Sequence, residues 1–187
     1  MKGFSKVKTE QTKKPYDQRT DLEKINSQWH KLSGFHTREE WSAAVVRAAT
    51  AAEIAANFAL RQEFEVRFRL KPAVVNILLK NANGLNGKMN QLLIPVLKTD
   101  APNYELSVRE RRTLTKAEQK LAELKRLNKI AGEINDDRNG VVHQGQFRGE
   151  EQARKTIDNA RKFIEGLVSL YEKNFKLKGE KREEADE

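Results

Sequence analysis

The chain has 187 residues, enough for one domain of ordinary size that buries roughly two-thirds of the surface its unfolded form would expose. It is polar, with 37% hydrophobic and 34% charged residues, and 36 Lys and Arg against 27 Asp and Glu leave a net charge of +9. That excess suits polyanionic partners such as nucleic acid, and the absence of cysteine excludes disulfides, thiol catalysis and zinc sites built on Cys. With three His, a His-rich metal cage is not expected. No apolar run approaches the roughly 18–20 residues that cross a bilayer, and the polar N-terminus lacks the core of a secretory signal. A soluble, cytoplasmic protein without a membrane partner is therefore expected.

Residues 1–20 carry six basic and two acidic side chains. Residues 1–28 read as a basic, mobile arm in which Lys13 and Lys14 are candidate phosphate grips, and residues 179–187 as a charged, disordered tail. Residues 29–178 read as a helical domain. Thr37-Arg38-Glu39-Glu40 has the spacing of a capping box. From there to Leu70 no Gly or Pro intervenes, and Trp41, Val45, Ala48, Ala52, Ala55 and Ala59 mark one buried stripe. Nine of the 17 residues from Ala43 to Ala59 are Ala, a surface that lets another helix approach closely. Glu53, Asn57 and Arg61 fall on one side of this helix. They read either as groups that orient a site or as a solvated stripe.

Pro72 suits the first turn of a helix over 73–82, and Asn83-Gly84-Leu85-Asn86-Gly87 reads as a turn. Gly84 to Lys88 fails as a phosphate loop, because Ala82 stands where the first Gly belongs and Met89 replaces the Ser or Thr after the Lys. A short apolar helix over 87–98, interrupted or ended near Pro95, leads into a polar connection over 99–114. There Arg109, Arg111 and Arg112 are candidate RNA contacts. A second capping box, Thr115-Lys116-Ala117-Glu118, opens a helix carrying Leu121, Leu124, Leu127, Ile130, Ala131 and Ile134, expected to end around Asn135 to Asn139. A last helix, Glu150 to about Leu177, carries Ala153, Ile157, Ala160, Ile164, Leu167 and Tyr171. No stretch alternates with period two. The expected fold is all-α, an antiparallel helical bundle.

Asp136-Asp137-Arg138-Asn139-Gly140-Val141-Val142-His143 is the one constellation with chemistry in it. An imidazole can exchange a proton near neutral pH, and a guanidinium matches a phosphate. Together they supply two parts of metal-free RNA cleavage: handling of the 2′-hydroxyl or leaving-group proton, and neutralisation of charge on the phosphorane-like transition state. In a continuous helix, however, residues five apart lie about 140° around the axis. Either Gly140 breaks the helix so that Arg138 and His143 converge, or two copies of the chain share one groove. Asp136 and Asp137 read as supports for Arg138, as a metal-binding pair, or as a polar helix end. Trp29, Trp41 and Phe58 read as core anchors before base-stacking platforms.

Arg138-Asn139-Gly140-Val141-Val142-His143 resembles the Arg-polar-x-x-x-His signature of the HEPN superfamily, and the upstream Ala-rich helix with Glu53 is similar to that family's first core helix. The resemblance covers roughly residues 37–178. It implies a compact, largely antiparallel helical bundle that dimerises across the motif. It further implies a metal-independent endoribonuclease without a cofactor, of the kind found in toxin–antitoxin, phage-defence or RNA-processing systems, with an antitoxin or defence-complex protein as partner. Arg138 and His143 are then catalytic, with Asn139 as the supporting polar position. Glu53, Asn57 and Asp137 are candidate supports. Some toxins of the family carry a Tyr two residues beyond the His, where this chain has Gly145, so control by modification of that Tyr is not implied. Some members are inactive, which leaves open a basic helical module that binds nucleic acid or a protein.

Overall fold

The computed structural model describes residues 14–37 and 40–178, and every regular element among them is helical. Lys13, the 179–187 tail and the side chain of Thr37 lie outside the described residues.

The first helix, α1 (Asp21–Thr37), begins well before the expected domain boundary at residue 29. Two signals account for this. Thr20 and Glu23 form a reciprocal cap, the Glu23 N–H donating to Thr20 Oγ1 at 3.2 Å and the Thr20 N–H to Glu23 Oε2 at 2.6 Å. Leu22, Ile25, Trp29 and Leu32 then recur at helical spacing, and the last three are buried. Helix therefore begins at Asp21, within the 1–28 stretch expected to be an arm, and Lys14 pairs with Glu23 at 3.1 Å.

The central helix, α2 (Trp41–Arg61), starts after Glu40, later than Thr37-based capping predicts, and Glu40 makes no side-chain cap. Burial on α2 goes beyond one stripe: Ala44, Ala49, Ala51 and Ala56 are covered along with Val45, Ala48, Ala52, Ala55 and Ala59. Methyl side chains let neighbours approach on several sides, so α2 is the axis of the molecule. Contrary to the expectation that no segment is long and apolar enough to cross a bilayer, α2 with its continuation is, among the described residues, one stretch that is so by length and composition. The reason is that its many Ala and Val sit in a helix packed against other helices, with 61% of its most apolar window buried. A π-helical turn, Gln62–Arg67, marks its end.

Next come α3 (Pro72–Asn81), α4 (Gly84–Gly87), a second π-turn (Lys88–Leu93) and α5 (Ile94–Asp100). The helix is interrupted at Ala82 and Asn83, Gly84 takes φ 61°, and the expected turn from Gly84 to Gly87 is already helix. Pro95 does not end the helix either. It falls in the first turn of α5 directly after the π-turn, whose register shift absorbs the missing N–H. The Arg-rich connection contains α6 (Tyr104–Arg109).

Helix α7 (Lys116–Gln144) opens on the expected capping box, with both Thr115–Glu118 bonds made, and runs about 43 Å. It does not stop at Asn135–Asn139. The polar side chains there bond laterally, Asp137 to α8 and Arg138 to Asn139, so they do not compete for the backbone. The stop comes at Gly145, in the left-handed region at φ 63°, where the Gly145 N–H and the Gln146 N–H, the latter at 3.0 Å, both donate to Gly140 O. Helix α8 (Glu150–Ser169) is shorter than expected, although Leu177 beyond it is still buried.

Contacts set the directions. Asn159 reaches Glu133, Thr156 reaches Asp137, and Gly166 faces Leu127 so closely that a Cβ there would lie 2.9 Å from Leu127 Cδ2; α7 and α8 are antiparallel. Arg47 meets Gln28 and Arg61 meets Asp21, so α1 opposes α2. Arg148 meets Ser42 at one end, and Tyr171 meets Glu63 at the other, so α8 runs alongside α2 in the same direction.

Candidate active site

Because α7 is unbroken through Gly140, Arg138 and His143 leave the helix about 140° apart. Gly140 does not bend them together. What links them is Asn139. Arg138 Nη1 donates to Asn139 Oδ1 at 3.2 Å, and Asn139 lies one turn before His143, on the same helix face. The guanidinium is thus tethered to its neighbour, and among the described residues no hydrogen bond joins Arg138 or Asn139 to His143. Arg138 and Asn139 are half-buried and His143 is exposed. Among the described residues, no carboxylate pairs with Arg138, whose charge is left available to an anion.

Gly140 is buried for another reason. A Cβ on it would sit 2.5 Å from Arg148 Nη2 and 2.7 Å from Gln146 Oε1, so the loop after α7 folds down onto this glycine. Arg148 holds that loop: its N–H donates to Ser42 Oγ at 2.9 Å, Nη1 donates to Gln146 Oε1 at 2.8 Å, and Nη2 pairs with Asp137 Oδ1 at 3.4 Å. Its Nε is buried with no partner. Asp137 Oδ2 accepts from Thr156 Oγ1 at 2.6 Å. Asp137 therefore supports the loop and α8, and does not support Arg138 as expected. Sequence reasoning passed over Arg148, Thr156 and Ser42, and only the two glycines bracketing 146–148 hinted at a built loop.

The other candidate supports are elsewhere. Glu53 accepts from the buried Lys88 Nζ at 2.6 Å, and Asn57 Oδ1 is buried without a partner. Arg61 pairs with Asp21 at 3.2 Å and donates to Asn76 at 2.7 Å. Neither Glu53 nor Asn57 bonds to Arg138 or His143. Trp29 and Phe58 are core anchors at 6% and 7% exposure, which leaves no free face for a base. Among the described residues no group of three or more His, Asp or Glu converges as a metal site, so Asp136 and Asp137 have no third ligand.

The expected RNA contacts lie at the other end of the molecule. Arg112 pairs with Glu118 at 3.3 Å, and Glu118 is about 37 Å along α7 from His143. Arg109 and Arg111 are exposed in the same connection, and Lys14 sits at the start of α1, near the same end.

No family model matches the sequence, and neither a curated protein nor a solved structure shows significant similarity to it.

Proposed function

We propose that the protein is a metal-independent endoribonuclease of HEPN type, acting in the cytoplasm as a homodimeric toxin or phage-defence effector. The observation that supports this reading is the Arg138–Asn139 bond one turn before an exposed His143. The guanidinium has no acidic partner among the described residues and the imidazole is open to solvent, which leaves both available to an anionic substrate. His143 takes the proton of the RNA 2′-hydroxyl as that oxygen attacks the adjacent phosphorus. Arg138 neutralises the charge gathering on the phosphoryl oxygens, and Asn139 positions it. The P–O5′ bond breaks, the leaving oxygen takes a proton, and a 2′,3′-cyclic phosphate remains. With two copies across a twofold axis, one imidazole serves as base and the other as acid. Wild-type protein should cleave RNA in EDTA and leave cyclic phosphate ends, while Arg138→Ala and His143→Ala should not. Equal cleavage by wild type and His143→Ala rejects the assignment.

A second reading rests on the span of about 37 Å along α7 between His143 and Glu118, the partner of Arg112, with Arg109 and Arg111 exposed in the same connection. In it the chain is a basic helical module that holds nucleic acid at the far end, with the motif inert. It predicts salt-sensitive binding that His143→Ala leaves unchanged, and no strand scission.

A further inference from the structure

We infer that Phe147 is a stacking platform for one nucleobase of the single-stranded RNA whose backbone Arg138 and His143 engage; the inference rests on the ribonuclease reading above. Phe147 is 93% exposed, the most exposed large apolar side chain among the described residues. It does not hang on a loose segment. On one side Gly145 closes α7, with the Gln146 N–H held by Gly140 O. On the other, Arg148 is bonded to Ser42, Asp137 and Gln146. A loop pinned on both flanks of a single ring presents that ring to solvent in one place, four residues after His143.

The surroundings say what covers it. A protein partner needs on the order of 800 Å² per side, and one phenylalanine offers only about 200 Å². Its chain neighbours are Gln146 and Arg148, then Gly145 and Gly149, so no apolar patch continues from it through the loop. A base needs less: one π-face, polar groups for its edge and cationic groups for its phosphate. Gln144 and Gln146, bonded to each other at 2.7 Å, bring amides to the loop, and Arg138 stands within the same motif without an acidic partner.

The test uses the full chain and a 12-nucleotide single-stranded 2′-O-methyl RNA, which cannot be cleaved by 2′-hydroxyl attack. Phe147→Leu keeps an apolar side chain but loses the π-face, and should weaken binding about 5- to 100-fold, with Phe147→Tyr restoring it. Phe147→Trp should bind like wild type and show its added emission quenched at saturation, above the constant background of Trp29 and Trp41. Wild-type affinity in Phe147→Leu overturns the inference, as does Phe147→Trp emission that the oligonucleotide does not move. A loss of affinity that tracks a change of sedimentation coefficient also overturns it, by making Phe147 a subunit contact. The underlying reading fails separately: if His143→Ala cleaves ordinary RNA as wild type does while the Phe147 series behaves as expected, the stacking platform stands and the nuclease does not.

Discussion

In the proposed mechanism Asn139 is the residue that holds the guanidinium, its Oδ1 accepting from Arg138 Nη1 at 3.2 Å on an unbroken helix. Its removal tests that role apart from charge. Asn139→Ala leaves Arg138 in place but unheld, and should lower kcat about 10- to 100-fold with KM little changed, less than the loss in Arg138→Ala. Asn139→Asp keeps an acceptor for the guanidinium but sets an anion beside the phosphate, so its defect should appear as a raised KM. Steady-state cleavage of one short RNA by the three variants separates these outcomes, and an Asn139→Ala protein with wild-type kcat would remove the residue from the mechanism. Arg138, Asn139 and His143 can be proposed as a group from the sequence because they are local, within six residues of one helix. The work of Asp137 was not, since its partner Thr156 lies 19 positions away and nothing in either residue's neighbourhood announces the other. The bond of Glu53 is hidden for the same reason: its partner is Lys88, 35 positions on.

Among the elements, α7 shows where periodicity stops being informative. Asn135 to Gly140 looks like a helix end, and Gly145 looks no different from Gly140 in sequence. Only the loop folded over Gly140 and the positive φ of Gly145 tell them apart. The two should therefore respond oppositely. Gly145→Ala forces a Cβ into the left-handed region and should cost about 1–2 kcal/mol in urea denaturation. Gly140→Ala gains up to about 1 kcal/mol of helix propensity but displaces the ends of Arg148 and Gln146, so its stability should stay near wild type while RNA cleavage falls. A Gly140→Ala protein with full activity would show that the loop's seat on α7 is irrelevant to the site. Helix α3 was placed correctly from Pro72, yet its apolar content misleads about burial: Leu79 is 9% exposed and Ile77 is 60% exposed. Both are large aliphatic residues two positions apart on one helix, and the difference depends on which face the rest of the chain covers.

At the scale of the whole molecule, one ion cluster joins the end opposite the motif. The Glu63 carboxylate, 1% exposed on the π-turn after α2, accepts from Lys120 of α7 at 2.7 Å and from the Tyr171 hydroxyl beyond α8 at 2.8 Å. Arg67 donates to it at 2.8 Å and also pairs with Asp100 at the end of α5. Burial pushes the Glu63 carboxyl up, but its three donors outweigh that and hold it below the ordinary glutamate value of 4.5. Glu118 is held low as well, chiefly by the Ser107 hydroxyl and then by the Thr115 N–H. Asp21 is the counterweight, raised mainly by burial. A lowered carboxyl stabilises the fold above its unfolded value and loses that contribution as pH falls through its folded value; a raised one does the reverse. The two lowered groups should prevail, with stability declining below about pH 4.5. The partners of Glu63 are not equivalent. Glu63→Gln frees Lys120 and Arg67, which are part-exposed and can turn to water, at a cost of about 1–2 kcal/mol. Lys120→Met leaves the carboxylate in place with one charged donor fewer and should cost about 3 kcal/mol at pH 7. Acidification protonates that carboxyl, so the Lys120→Met deficit should shrink toward about pH 4 while the Glu63→Gln deficit narrows less. Urea denaturation of both variants at the two pH values measures the difference, and equal, pH-independent deficits would mean that the cluster contributes packing alone.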